Sequence, residues 1–115
     1  MNLQPKLHEA LKQIANEMQI IFGDRLKAVT LFGSYARGDY GEHSDVDIMV
    51  LVDMDKHELT TYRNVVSKVR NEIDEEYDYE FLVTMLLQDE YTFNRYQRAS
   101  GFFKNVTAEG VKISA

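Results

Sequence analysis

The chain has 115 residues, of which 44% are hydrophobic, and carries a formal net charge of −6. This length and apolar content suit a single core, so we expect one domain that spans residues 1–115. The negative charge argues against the broad basic surface with which proteins bind free nucleic acid. The chain contains no cysteine, which excludes disulfides and thiolate metal sites, and no signal peptide or long apolar span is visible. We therefore expect a cytoplasmic protein that does not enter a membrane.

The first half of the chain predicts one helix and two strands. Apolar residues recur at helical spacing from Leu7 to Phe22, and Gly23 then ends the helix. The apolar runs from Ala28 to Phe32 and from Val46 to Val52 each predict a strand. The connection between these strands is too short for the crossover helix that parallel neighbours require, so we expect them to pair antiparallel.

The second half predicts a long helix, a third strand and two shorter helices. A helical pattern runs from Leu59 to Ile73, and Asp55 is placed to cap it. The third strand is expected from about Tyr79 to Leu86, followed by a helical stretch from Asp89 to Arg98 and a short helix capped by Ser100. This order predicts an α/β (α+β) fold with a mixed central sheet flanked by helices.

Two aspartates at the start of the second predicted strand are the main candidates for metal ligands. Asp45 and Asp47 lie two residues apart, and the alternation of a strand places their side chains on one face, with Cα atoms roughly 6 to 7 Å apart. Mg²⁺ prefers oxygen ligands and is usually bound by one or two carboxylates together with substrate phosphates. The pair therefore predicts a magnesium site that also handles a phosphorylated ligand.

The residues that follow the first predicted strand are candidates for binding the phosphates. Gly33 has no Cβ, so a phosphate can approach its backbone closely. Ser34 is expected to cap a short helical turn through Arg37, and the first backbone N–H groups of that turn can donate to an anion. Arg37 itself can pair with a triphosphate. Antiparallel pairing brings these residues to the aspartates, which predicts a site for a nucleoside triphosphate and its metal.

The combination of Gly33-Ser34 with Asp45-Val46-Asp47 resembles the signature of the nucleotidyltransferase superfamily typified by DNA polymerase beta. Each half alone is more often a turn or a cap, but both halves at this spacing and between two strands are specific. The chain is most similar to the minimal nucleotidyltransferases of the MNT type, which are antitoxins that accompany HEPN-domain toxins. The similarity covers most of the chain and implies the nucleotidyltransferase fold, which is like the palm of DNA polymerase beta.

A third carboxylate would complete a site for two Mg²⁺ ions. Asp78 and Glu80 share one face of the third predicted strand if that strand starts by Tyr77. The resemblance implies that the third acid lies on this strand, where Glu80 falls, although family members more often carry aspartate there. We expect Glu80 to bind the second ion or to receive the proton of the attacking hydroxyl, with Asp78 as the alternative.

The predicted chemistry is nucleotidyl transfer, in which an acceptor attacks the α-phosphate and expels pyrophosphate. The resemblance alone implies that ATP is the substrate and that a tyrosine of a HEPN-domain toxin receives AMP and is thereby silenced. Aromatic residues in the C-terminal third offer a docking surface for that partner, although ordinary core packing explains them at least as well. These residues are Tyr91, Phe93, Tyr96, Phe102 and Phe103.

Two other functions also fit the sequence. The chain could be a non-catalytic antitoxin that acts by binding its partner, or a small-molecule transferase of the antibiotic-modifying type. The second function needs an acceptor pocket, which in so short a chain an oligomer would have to build. The sequence leaves the acceptor, the oligomeric state and the number of groups transferred open.

Overall fold

The computed structural model describes residues 4–114, which form five α-helices and four strands. The helices, numbered in chain order, are α1 (Pro5–Phe22), α2 (Ser34–Arg37), α3 (Lys56–Glu76), α4 (Glu90–Tyr96) and α5 (Gly101–Glu109). The strands are β1 (Leu26–Phe32), β2 (Val46–Val52), β3 (Val83–Asp89) and β4 (Val111–Ser114). None of the helices in the described part of the chain is long and apolar enough to cross a membrane.

The strands form one mixed sheet with the order β3-β2-β1-β4. β1 is antiparallel to both of its neighbours, whereas β2 and β3 run parallel. The parallel pair is joined through α3, which provides the long crossover that parallel strands need. The predicted α/β (α+β) class, the mixed sheet with flanking helices and the antiparallel pairing of the first two strands are confirmed.

The hydrophobic core lies between the sheet and the helices α1 and α3. Alternate residues of β2 are fully buried, as are Leu7, Ile14 and Met18 on one face of α1. Val66 and Ile73 on α3 belong to the same core. Each such side chain contributes roughly 1.5 to 3 kcal/mol when it is removed from water, so this core fixes one face of the sheet firmly.

The C-terminal helices approach the sheet through aromatic contacts. The carboxylate of Asp89 accepts a hydrogen bond from the Thr92 backbone at 2.8 Å and caps α4, and Ser100 Oγ caps α5. The ring of Phe102 on α5 stands edge-on to Phe32 at the end of β1, with centroids 5.4 Å apart. The Ser100 cap was expected from the sequence, whereas Asp89 was expected to be the first residue of its helical stretch and instead caps α4.

The third strand begins at Val83, not near Tyr79, so the predicted start was wrong. Asp78 and Tyr79 adopt left-handed backbone conformations with φ of 53° and 57°, which ends α3 in a turn. The buried carboxylate of Asp74 accepts a hydrogen bond from the Val83 backbone at 3.1 Å and marks where pairing begins. Asp78 and Glu80 therefore lie in the turn and do not share a strand face.

Two local expectations also differ from the structure. Gly33, not Ser34, is the residue that precedes α2, and no side chain caps that helix. The strand β4 was not predicted, because only four residues form it and their pairing partner β1 is distant in sequence. Gly110 lets the chain pass close to β1 before β4 begins, because a Cβ at this position would collide with the Val106 carbonyl and the Thr30 side chain.

Candidate nucleotide site

The register between β1 and β2 determines the centre of the candidate site. Phe32 pairs with Asp47, so the chain leaves β1 at Gly33 directly beside the Asp47 carboxylate. This register brings the predicted phosphate-binding residues to the predicted metal ligands. The sequence pattern of a strand, a Gly-Ser turn and an antiparallel strand is sufficient to produce this arrangement.

Only glycine fits at position 33, for two independent reasons. Its backbone has φ +75° and ψ −156°, a conformation that residues with a Cβ rarely adopt. A Cβ at this position would also collide with Oδ2 of Asp47. The close approach of bare backbone to a carboxylate is the central geometric feature of the site.

The turn α2 is held from both sides. Its first hydrogen bond runs from the Arg37 backbone N–H to the Gly33 carbonyl at 3.1 Å. Tyr35 is buried and stacks on the ring of Tyr40, with centroids 4.1 Å apart. The amides at the start of any helix lack intrahelical acceptors, so this anchored turn presents N–H groups at a defined position.

Electrostatics at the pair of aspartates favours a cation. Burial raises the pKa of Asp47, the negative charge of Asp45 raises that pKa further, and Arg37 opposes the shift. Asp47 is half-buried and Asp45 is exposed. Two repelling carboxylates at one strand end provide hard oxygen donors, which is the donor set that suits Mg²⁺.

A cleft of about 330 Å³ joins most of the predicted site residues. On one side, Gly33, Ser34, Arg37 and Asp47 line it, and the side chain of Phe32 and one face of α5 form the rest of the wall. The structure thus brings the phosphate-binding candidates and one metal-ligand candidate into a single cleft. Asp45 lies outside it and lines an adjacent pocket of about 260 Å³.

Glu80 does not join the two aspartates in a metal cluster. Its carboxylate forms an exposed ion pair with Lys6 at 3.0 Å, and the same contact raises the pKa of Lys6. No group of three acidic, histidine or cysteine side chains in residues 4–114 could hold a metal ion. Glu80 does line the pocket that Asp45 also lines.

The position on β3 that pairs with Asp47 is Thr84. The expectation that Glu80 or Asp78 lies on the third strand is wrong, because the strand starts three residues after Glu80. Thr84 itself is exposed. Asp78 lies five residues before the strand, in the left-handed turn that follows α3.

The contribution of α5 to the cleft was not predicted from the sequence. Phe102, Asn105, Val106 and Glu109 follow helical spacing and line the same cleft as Gly33 and Asp47. Because these four residues recur at helical spacing after the Ser100 cap, the sequence does indicate that they share one face of a helix. The sequence does not indicate that this face packs against the end of β1.

Arg37 is held by acidic residues from two directions. Its Nε donates to Asp39 at 3.2 Å and a terminal nitrogen donates to Glu109 at 3.2 Å. These contacts raise the pKa of Arg37, with Asp39 contributing most. The guanidinium therefore faces the cleft already paired, and the Glu109 contact ties the end of α5 to α2.

The chain belongs to the nucleotidyltransferase family: residues 11–102 match the family model described as "Nucleotidyltransferase domain". The chain is accordingly a nucleotidyltransferase. The family and the fold that the sequence predicted are both confirmed.

Relatives and solved structures add detail to this assignment. The chain is 32% identical over 103 residues to "Putative protein adenylyltransferase MJ0604" of Methanocaldococcus jannaschii, which covers 89% of this chain and 92% of that protein. It is 52% identical over 44 residues to "Putative protein adenylyltransferase MJ0141" of the same organism, covering 38% of this chain and 44% of the relative. A crystal structure of a toxin–antitoxin with AMP-PNP has the same fold, with a TM-score of 0.51 and 19% identity. The superposition covers 89% of this chain and 71% of the chain in that structure.

Proposed function

We propose that the chain is a Mg²⁺-dependent adenylyltransferase that transfers AMP from ATP to a tyrosine hydroxyl of a HEPN-type toxin, and so acts as an antitoxin. The observation that carries the proposal is the cleft in which the bare backbone of Gly33 meets the Asp47 carboxylate beside Ser34 and Arg37. The similarity to relatives described as putative protein adenylyltransferases supports AMP as the transferred group. The toxin–antitoxin that shares the fold suggests the kind of partner.

In this proposal, the glycine corner, defined as Gly33, Ser34 and Asp47, orients the triphosphate. Gly33 and Ser34 hold the β- and γ-phosphates through backbone N–H groups, and Arg37 adds a positive charge. Asp45 and Asp47 hold Mg²⁺, which supplies charge neutralisation when bound. The acidic pair cannot itself bind phosphate, so nucleotide binding should depend on the divalent ion.

The transfer step exchanges one phosphorus–oxygen bond for another. The tyrosine oxygen forms a bond to the α-phosphorus while the bond to the bridging oxygen breaks, and pyrophosphate leaves with that electron pair. The proton of the hydroxyl must pass to a base. We assign this role to Glu80, which lines the pocket beside Asp45 and would exchange Lys6 for the acceptor hydroxyl.

A direct test combines calorimetry with mass spectrometry. The purified chain should bind ATP only with Mg²⁺, and it should add AMP to a tyrosine of a co-expressed HEPN-domain partner. Asp45→Asn together with Asp47→Asn should remove both activities. Asp53→Asn provides the matched control, because this exposed aspartate follows the opposite end of β2. Undiminished Mg²⁺-dependent binding by the double variant would disprove the site.

A non-catalytic antitoxin is the second candidate, and the threonine at position 84 favours it. Thr84, which is not an acid, pairs with Asp47, and the expected third acid lies outside β3, which weakens the case for two-metal catalysis. Under this alternative, Asp47→Asn would lose nucleotide binding and still neutralise its partner. Loss of neutralisation together with loss of AMP transfer would instead support catalysis.

A further inference from the structure

The helix α5 presents a mixed aromatic and polar face to the nucleotide cleft. Phe102, Asn105, Val106 and Glu109 lie at relative positions 0, 3, 4 and 7 of the helix, and all four line the cleft. Of these, Glu109 is engaged by Arg37 and Val106 is buried. Phe102 and Asn105 are exposed and have no role in the phosphate chemistry.

Phe102 is held in place although its ring is accessible. Phe102 is 45% exposed, yet its ring packs edge-on against Phe32, with centroids 5.4 Å apart, and at a tilt against the neighbouring Phe103, with centroids 5.7 Å apart. The Ser100 cap fixes the helix turn that carries it. A pre-positioned aromatic ring with an accessible surface is the arrangement on which nucleobases stack.

Asn105 differs in chemistry from the residues at the opposite wall. Gly33, Arg37 and Asp47 offer backbone amides and charges, which suit phosphate and metal. The carboxamide of Asn105 is neutral and both donates and accepts hydrogen bonds. Asparagine can match adenine in this way, with the amide oxygen accepting from N6 and the amide nitrogen donating to N7.

We propose that Phe102 and Asn105 form the base-binding part of the nucleotide site, with Phe102 as the stacking platform and Asn105 as the residue that recognises adenine. The inference rests on the proposed function, since it assumes that the glycine corner binds the triphosphate of the same nucleotide. The cleft then has a polar, charged wall for phosphates and metal, and a helix face for the base. The assignment also makes α5 a specificity element.

The test uses two ligands that share the phosphates and differ in the base. Calorimetry of the full chain with Mg²⁺ measures binding of ATP and of inorganic tripolyphosphate. Phe102→Leu, which retains an apolar side chain against Phe32, should weaken ATP binding about tenfold and leave tripolyphosphate binding unchanged. Tyr96→Leu is the matched control, because Tyr96 is similarly exposed at 47% and lines a different pocket.

A second pair of variants tests base recognition. Asn105→Ala should reduce the preference for ATP over GTP by about tenfold, whereas Asn94→Ala on the exposed surface of α4 should not change it. Phe102→Tyr keeps an aromatic ring at this position, so it should bind ATP about as tightly as the unmodified chain, in contrast to Phe102→Leu.

Each contrary result has a distinct meaning. If Phe102→Leu binds ATP and tripolyphosphate as tightly as the unmodified chain does, Phe102 is not the stacking residue, and the phosphate site is unaffected. If the variant binds both ligands more weakly by the same factor, Phe102 supports the structure of the cleft, and its assignment to the base is wrong. If the unmodified chain binds neither ligand with Mg²⁺, the proposed function and this inference are both overturned.

Discussion

The glycine corner and the 77–82 turn, which joins α3 to β3, each carry an acidic candidate residue, and these residues are positioned in different ways. On one side, the glycine corner is built by two strands that are adjacent in sequence and hydrogen-bonded through Phe32 and Asp47. On the other side, the 77–82 turn reaches β2 only after the long helix α3, and its exit is fixed by the buried carboxylate of Asp74. The first region is therefore rigid and local, and the second depends on distant packing.

This contrast explains where functional residues are precisely placed. The Asp47 carboxylate at the glycine corner is half-buried and lies against the backbone of Gly33. The side chain of Glu80 in the 77–82 turn is exposed and forms an ion pair with Lys6. Exposed ion pairs are weak, so Glu80 can change partners. Binding roles suit the first region and a mobile proton-transfer role suits the second.

The largest effect is expected from Gly33→Ala, which breaks the rigid region. The methyl group collides with Asp47 Oδ2 and the backbone is strained, so Mg²⁺-dependent ATP binding should become undetectable. The strain alone should lower the free energy of unfolding by roughly 1 to 3 kcal/mol. Calorimetry and chemical denaturation measure the two effects.

Gly38→Ala separates strain from collision. Gly38 also has a positive φ, of +86°, but a Cβ there meets nothing within 4 Å. This control should lose stability by a similar amount and retain ATP binding. Equal loss of binding in both variants would show that strain in α2, and not the Asp47 contact, controls the site.

Glu80→Gln tests the second region and should slow AMP transfer by about 10² to 10⁴, with ATP binding nearly unchanged. Lys6→Gln is the matched control, because it breaks the same ion pair and keeps the carboxylate. Asp78→Asn should have little effect. If Lys6→Gln and Glu80→Gln slow transfer equally, the ion pair has a structural role and the base lies elsewhere.

Asp74→Ala should destabilise the protein without abolishing the nucleotide site. Removing the carboxylate leaves the Val83 N–H without its acceptor, which costs roughly 1 to 3 kcal/mol of unfolding free energy. Asp74→Asn keeps an acceptor oxygen and should recover most of that stability. Chemical denaturation gives both values, and an unchanged midpoint for the alanine variant would contradict the assigned role of Asp74.

The same contrast explains what the sequence could predict. That Gly33 and Ser34 would lie beside Asp47 could be predicted from the sequence, because this geometry follows from strand alternation and a short connection. The third strand was misplaced because its apolar run begins before pairing does, and the hydrogen bond from Val83 to Asp74 leaves no local pattern. The approach of α5 to the cleft was missed for the same reason, since it depends on contacts between distant elements.

The smallest effect is expected at Glu109, where α5 meets the rigid region. Glu109 competes with phosphate for Arg37, so Glu109→Gln should tighten Mg²⁺-dependent ATP binding by about two- to fivefold, the size expected for an exposed ion pair. Glu72→Gln on the exposed face of α3 removes the same charge far from the cleft and should leave the affinity unchanged. Weaker binding in Glu109→Gln would show instead that the contact holds Arg37 in its working position. In that case α5 would organise the phosphate side of the site as well as the side to which we assign the base.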